Sequence, residues 1–145
     1  MPPVRPHGSY DVSIDGRVLR AVVCGPWNVE LVQAYADAFA QQVHTLAGAP
    51  WGTLAILTGE ALHTAESHQA VVETVRQHRT LGRCATAVVM RVNSVPAMIR
   101  ALFTRLYAEA GEPCEFFDDE TQALQWLQAQ IKLSESGAAP LPPQS

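Results

Sequence analysis

The chain has 145 residues, of which 48% are hydrophobic and 17% charged, and its formal net charge is -4. This length suits one domain with an apolar core, and the acidic balance argues against nucleic-acid binding, which needs a dense basic surface. Arg76, Arg79 and Arg83 recur at helical intervals and are interpreted as a solvated helix face. No apolar run approaches the about 18 residues of a membrane span, and the N-terminus has no signal-peptide core. We therefore expect a cytoplasmic protein without stable membrane insertion.

Composition divides the chain into three segments. Residues 1–8 contain three prolines and a glycine, which predicts a flexible leader. Residues 134–145 consist largely of Ser, Gly, Ala, Pro and Gln without periodicity, which predicts a disordered tail. Residues 9–133 carry regular apolar patterns and are expected to form a single α/β domain.

Five strands are predicted. Residues 9–14 alternate apolar and polar side chains, and Asp15-Gly16 is a strong hairpin signal, so residues 18–24 should return as an antiparallel strand. Apolar, β-branched runs predict three further strands at residues 53–57, 84–92 and 114–117.

Four helices alternate with the later strands. Asn28 and Thr64 are expected to cap the first two, and Asn93-Ser94 the third. Three carboxylates, Asp118-Asp119-Glu120, open the last helix, where capping and the helix dipole explain them. This alternation predicts a five-stranded mixed sheet, parallel except for its first strand, with helices mainly on one face.

Three short patterns accompany this order of elements. They are Gly25-Pro26-Trp27-Asn28 before the first helix, Pro50-Trp51 before a strand, and Phe117 followed by Ala123-Leu124 and Trp126-Leu127. Together with the order β-β-α-β-α-β-α-β-α they resemble the STAS / SpoIIAA-like domain family, which includes bacterial anti-sigma-factor antagonists and small bacterial proteins of similar fold. The resemblance implies a regulatory or interaction module rather than an enzyme.

The phosphorylation site of that family is not matched. Members that antagonise anti-sigma factors carry an Asp-Ser-Ser-Gly-like phosphoacceptor turn after the middle strand, whereas residues 57–64 here contain no serine. Glu60 would also repel a phosphate introduced beside it. Thr58 and Thr64 remain as alternative acceptors, and the usual phosphorylation switch is not expected.

The expected site lies where the parallel strands end and the helices begin. This edge is the usual ligand edge of open α/β sheets, and free N–H groups at helix N-termini suit anionic or polar ligands. Binding of a protein partner or small ligand is expected there, through Trp27, Asn28, Thr58, Glu60, His63 and Asn93.

Two alternatives belong to other classes of protein. In the first alternative, the protein carries a lipid or another small apolar ligand in an internal pocket. Four residues of the apolar stripe of the third helix, which begins at Val95, would line that pocket: Met98, Leu102, Phe103 and Leu106. Cys24, at a strand end before Gly-Pro, resembles the start of a thioredoxin-like redox site. However, Trp27 occupies the position of the resolving cysteine.

No metal, cofactor or catalytic group is predicted. His63, His68 and His78 are five and ten residues apart, so they do not share a helix face as a zinc-binding pair would, and we expect them at the surface. Trp51 is placed in a turn, where it either caps the core or lines a groove.

A homodimer is a further expectation. The predicted first strand, from Tyr10 to Ile14, forms one end of a hairpin. An uncovered edge strand can pair with the same strand of another copy, because its outer N–H and C=O groups are unpaired.

Overall fold

The structure, a computed structural model, describes residues 9–27, 29–63, 65–92 and 95–136. Its elements are β1 (Ser9–Asp15), β2 (Val18–Trp27), α1 (Val29–Leu46), β3 (Trp51–His63), α2 (Ala65–Arg79), β4 (Arg83–Val92), α3 (Pro96–Ala110), β5 (Cys114–Phe117) and α4 (Glu120–Glu135). The predicted α/β fold with a five-stranded mixed sheet and four helices is confirmed. The predicted leader, most of the predicted tail and the predicted cap residues Asn28, Thr64, Asn93 and Ser94 lie outside the described residues.

The strand order β1-β2-β3-β4-β5 follows the chain, with β1 antiparallel to β2 and all other neighbours parallel. Each crossover moves one strand further in the same direction, and right-handed crossovers then bring α1, α2 and α3 to one face. The helix α4 follows the edge strand β5 and packs on the opposite face. Three helices therefore share a face, as predicted.

Each face of the sheet has its own core. Val23, Ala55 and Val88 pack under α1, α2 and α3. Under α4, the packed residues are Leu54, Ile56, Ala85, Ala87, Val89, Ala123, Leu127 and Ile131. Gly52 of β3 allows α4 to approach closely, because a Cβ at this position would lie 2.6 Å from Leu127 Cδ1.

Two strands extend beyond their predicted ends. The strand β2 continues through Gly25 and Pro26 to Trp27, and β3 begins at Trp51 and continues past Leu57 to His63. Glycine and proline usually interrupt strands. Here pairing with neighbouring strands overrides the tendency of these residues to end a strand. Cys24 and Gly25 remain in register with β3, and Thr58 and Gly59 remain in register with β4.

The hairpin turn between β1 and β2 is tied to the end of α1 by Arg17. Its Nη2 donates to the carbonyl oxygens of Leu46 and, at 2.7 Å, Ala49, while its Nε donates to the Pro50 oxygen at 3.1 Å. A guanidinium group at a helix C-terminus also interacts favourably with the helix dipole. The loop between α1 and β3 is thereby held against the hairpin.

A buried ionic network lies at the opposite end of the sheet from the helix starts. Arg83 Nε donates to both carboxylate oxygens of Glu112, at 2.8 and 3.0 Å, and Arg83 Nη2 donates to Thr86 Oγ1 at 2.7 Å. The Arg83 and Glu112 side chains are 4% and 0% exposed. The interpretation of Arg83 as part of a solvated helix face is therefore wrong: it follows α2 and enters the core at the start of β4.

His78 belongs to the same network and is buried, which corrects the expectation of a surface histidine. Its ring packs near Phe39 and Trp51, and Arg83 Nη1 donates to its Nδ1 at 3.3 Å. Burial, followed by the positive charge of Arg83, lowers the pKa of His78 to about 3. Trp51 is fully buried and donates its indole N–H to the Leu81 oxygen at 2.9 Å, so it caps the core.

Candidate functional site

The carboxyl edge of the sheet is the edge at which the parallel strands end. Trp27 ends β2 directly before α1, His63 ends β3 directly before α2, and Val92 ends β4 shortly before α3. Because these strands are parallel, the N-termini of α1, α2 and α3 lie at this one edge, and the N-terminus of α4 follows β5 there too. Asn28 and Asn93, which belong to the predicted site, lie outside the described residues.

Two strands project further than their neighbours at this edge. Gly25, Gly59 and Val92 form a row across β2, β3 and β4. Beyond that row, in the described part of the chain, residues 26–27 of β2 run beside residues 60–63 of β3, and Trp27 is in register with His63. The backbone thus brings Trp27 and His63 together and places Glu60 on the same projecting segment of β3.

Thr58 lies one row further into the sheet. It is level with Cys24 of β2 and Arg91 of β4, and its hydroxyl donates to the Val23 oxygen at 3.1 Å. Thr58 is therefore a half-buried strand residue, five positions before the end of β3, rather than a residue of the turn that precedes α2. This position corrects the expectation that the strand ends before Thr58.

Cys24 and Gly59 fit each other closely. A Cβ at Gly59 would lie 2.7 Å from Cys24 Sγ, and Gly59 has a φ of +64° that L side chains rarely adopt. The Cys24 thiol is half-buried and lies 3.8 Å from the Gly25 oxygen. The contact gives this thiol a packing role between two strands.

The first turn of α3 presents apolar side chains to solvent. Val95 is 45% and Met98 47% exposed, whereas the buried face of the helix contains Ile99, Phe103 and Leu106. Val95 has φ 43° and ψ 49°, a left-handed conformation that costs a β-branched residue about 1–3 kcal/mol. The predicted apolar stripe of this helix is therefore not buried over its whole length, because Val95 and Met98 at its start are exposed.

The sequence contains a signal that separates these residues from the core. Counting in steps of three and four from Met98 leads to Leu102, Arg105 and Glu109, a stripe that becomes charged. The neighbouring stripe from Ile99 stays apolar over its whole length and is the buried one. A short apolar start on a mixed stripe indicates a partly exposed helix face.

A charged cluster flanks the carboxyl edge on the α4 face. Arg20 donates to Glu120 from Nη2 at 3.0 Å and from Nε at 3.2 Å, and Arg91 Nη1 lies 3.4 Å from the same carboxylate. The hydrogen bond from Arg20, and then the charges of Arg20 and Arg91, hold the pKa of Glu120 below its usual value. Asp119 caps α4, as predicted for the acidic start of this helix, by accepting from the Gln122 N–H at 2.9 Å. Two guanidinium groups therefore meet the acidic start of α4 here.

An apolar cavity of about 40 Å³ lies between the sheet and the layer of α1, α2 and α3. Its lining residues are Val23, Tyr35, Ala55, Leu57, Val71, Phe103, Leu106 and Tyr107. Phe103 and Leu106 line it as the carrier hypothesis predicts, but Met98 and Leu102 do not. The volume would hold a few water molecules at most, and an acyl chain needs far more.

The described residues include no group of three or more His, Cys, Asp or Glu side chains that could hold a metal ion. His68 Nε2 pairs with Glu109 Oε2 at 2.5 Å, which links α2 to α3. The described residues also include no helix that is both long and apolar enough to cross a bilayer.

No protein-family model and no curated protein sequence matches this chain. The basis for a functional inference is therefore the arrangement of side chains and backbone at the carboxyl edge. Two features of that edge are independent of each other: the projecting pair of strands that ends at Trp27 and His63, and the exposed apolar turn at Val95 and Met98.

Proposed function

We propose that this protein is a non-catalytic, STAS-like regulatory or interaction module that binds its partner at the carboxyl edge of the sheet. The observation that carries the proposal is the exposed apolar first turn of α3, at the edge where β2 and β3 project. Val95 and Met98 lie on an open surface, which suits a protein partner better than an enclosed small molecule.

The energetics of this edge support a binding role. The left-handed Val95 is strained, and exposed Met side chains adapt well to a partner surface because they are unbranched and polarizable. The N-termini of α1 and α2 add N–H groups that have no partner within their own helices, and Arg91, 52% exposed, adds positive charge nearby. A partner segment with apolar residues beside an acidic or polar group would fit this edge. Its apolar residues would cover Val95 and Met98, and its acidic or polar group would accept hydrogen bonds from the helix N-termini or from Arg91.

The topology supports the STAS-like part of the proposal. A sheet in the order β1-β2-β3-β4-β5, antiparallel only at β1, with three helices on one face, agrees with the order of elements on which the resemblance depends. The proposal does not include phosphorylation at Thr58, because its hydroxyl donates to Val23 within the sheet.

Photocrosslinking at Met98 tests the proposed site. Met98 is replaced with a benzophenone amino acid in the full chain, and Leu81, which is 43% exposed at the opposite end of the sheet, is replaced in a matched control. In lysate of the source organism we expect a discrete adduct from position 98 that is absent from position 81. Trp27→Ala should reduce the yield of that adduct. Equal adducts from both positions, or none from position 98, would contradict the proposal.

The two alternatives make different predictions. A carrier would release a bound apolar molecule in native mass spectrometry of freshly purified protein, and that result would replace the module with the carrier. A thiol-dependent redox protein requires an acidic, reactive Cys24, whereas ordinary thiol reactivity between about pH 5 and 9 would contradict it. We expect the bare protein mass and ordinary reactivity.

A further inference from the structure

The strand β1 forms one edge of the sheet. It pairs with β2 over all seven of its residues, and none of the described strands pairs with its outer side. Natural edge strands are commonly protected by proline, by charged side chains or by a bulge; residues 9–15 contain no proline and no bulge, and their charged residues are Asp11 and Asp15. The outer edge of β1 therefore offers a regular row of N–H and C=O groups.

The two faces of β1 differ in character. Tyr10 and Val12 are half-buried on the face covered by α1, where the Tyr10 hydroxyl donates to the Ala34 oxygen at 3.3 Å. Ile14 lies on that face and is 38% exposed. Asp11 and Ser13, on the other face, are exposed. Each face has a side-chain pattern that restricts which strand can pair with it.

Among the registers that pair at least five residues of β1, a second copy of β1 satisfies those restrictions in one. In a symmetric antiparallel pair, opposite residues point to the same face, so the two-fold axis passes through a single residue position. Centring the pair on Asp11 places two aspartates opposite each other. Centring it on Ser13 places Asp11 opposite Asp15 of the other copy. Like charges directly opposite are destabilising, so both registers are disfavoured.

Centring the pair on Val12 avoids these repulsions. Asp11 then lies opposite Ser13, and Tyr10 lies opposite Ile14, an aromatic–aliphatic pair that covers the exposed isoleucine. This register also pairs the full length of both strands. We propose that the protein forms a symmetric homodimer through β1, centred on Val12, with one continuous ten-stranded sheet.

This dimer is expected to be reversible. A single pair of seven-residue strands buries less than the about 1,200–2,000 Å² of a typical stable interface. Sedimentation velocity and native mass spectrometry of the full chain, from low to high micromolar concentration, should therefore show monomer and dimer in exchange. A monomer over the whole range would overturn the proposal.

Two substitutions at Ser13 test the register. Ser13→Asp places two like-charged pairs across the interface and should raise the dimer dissociation constant about 2- to 30-fold. Ser13→Lys instead places lysine opposite Asp11 twice, so the dissociation constant should stay the same or fall. Ser13 is exposed, and circular dichroism of each variant checks that the monomer remains folded.

The opposite edge supplies the control. Glu115→Lys reverses a charge on β5 and should leave the dissociation constant unchanged, whereas a strong effect would assign the dimer to β5 and overturn the proposal. Weakening by both Ser13 variants would indicate the register centred on Ser13. If neither variant changes the dissociation constant, β1 is not the interface.

Discussion

The buried pair of Arg83 and Glu112 gives the sharpest prediction about stability. Glu112→Gln keeps the size of the side chain but removes the negative charge, so the guanidinium group of Arg83 stays buried without a counter-ion. Breaking a buried ion pair by removing one partner costs about 3–5 kcal/mol. Because the amide oxygen can still accept one hydrogen bond from Arg83, we expect a loss near the lower end, about 3 kcal/mol.

The surroundings of Arg83 explain why this loss should be large. Burial disfavours the charge of Arg83, and Glu112 is the main group that offsets burial and raises the pKa of Arg83. Arginine is not deprotonated in proteins, so the guanidinium group stays charged after the substitution and has lost its main compensation. Arg79, 3.4 Å from the same carboxylate, would lose its partner as well.

The loss of unfolding free energy is measured by urea unfolding, monitored through tryptophan fluorescence. The matched control is Glu120→Gln, which removes the counter-ion of Arg20 in a pair whose side chains are about one-third exposed, 34% and 33%. Solvent screens such a pair, and its loss should cost at most about 1 kcal/mol. If Glu112→Gln costs no more than Glu120→Gln, the network does not stabilise the fold as reasoned. Replacing Arg83 with methionine in the Glu112→Gln background should recover part of the loss.

Three further predictions concern other parts of the fold. The pKa of His78 is about 3 in the folded protein, against an ordinary value of 6.5. As the pH falls from 6.5 toward 3, only the unfolded chain takes up this proton, so the free energy of unfolding should decrease. Between about pH 7.5 and 4 the wild type should lose about 3 kcal/mol more than His78→Asn, measured by urea unfolding, and equal losses would show that His78 is not held neutral. Gly52→Ala should cost about 1–3 kcal/mol through overlap with Leu127, and a Leu127→Ala background should relieve that overlap; additive losses would contradict this reason. Val95→Gly should leave thermal stability unchanged or higher, because glycine adopts a positive φ without strain, and a clear loss would contradict the assigned conformation.

The alternation of helices and strands was predictable because it follows from local patterns. Strand and helix types come from periods of two and of three to four residues, and the Asp15-Gly16 turn fixes the antiparallel start. The strand ends were not predictable in the same way. Gly25 and Gly59 interrupt strands when judged alone, but pairing with neighbouring strands extends β2 and β3 past them.

The buried polar groups were not predictable because their partners are distant in the chain. Glu112 is 29 residues from Arg83 and belongs to the loop before β5. The helical spacing of Arg76, Arg79 and Arg83 therefore looked like an exposed basic face. In the structure Arg76 donates to the Glu109 oxygen near the end of α3, while the other two contact Glu112. Composition gives the number of charges in a sequence, and only the fold decides which become buried pairs.

The two ends of the sheet have opposite energetic character, and this contrast bears on function. At the amino end the indole of Trp51 and the guanidinium group of Arg83 satisfy buried acceptors, so strands and helices are held together there. At the carboxyl edge Val95 is strained and exposed, and Gly59 has a conformation that L side chains rarely adopt. A fold that is well stabilised at one end can tolerate strain of about 1–3 kcal/mol at the other. The proposed partner site therefore lies at the end of the sheet that has strain and exposed apolar side chains, and Val95→Gly measures how large that strain is.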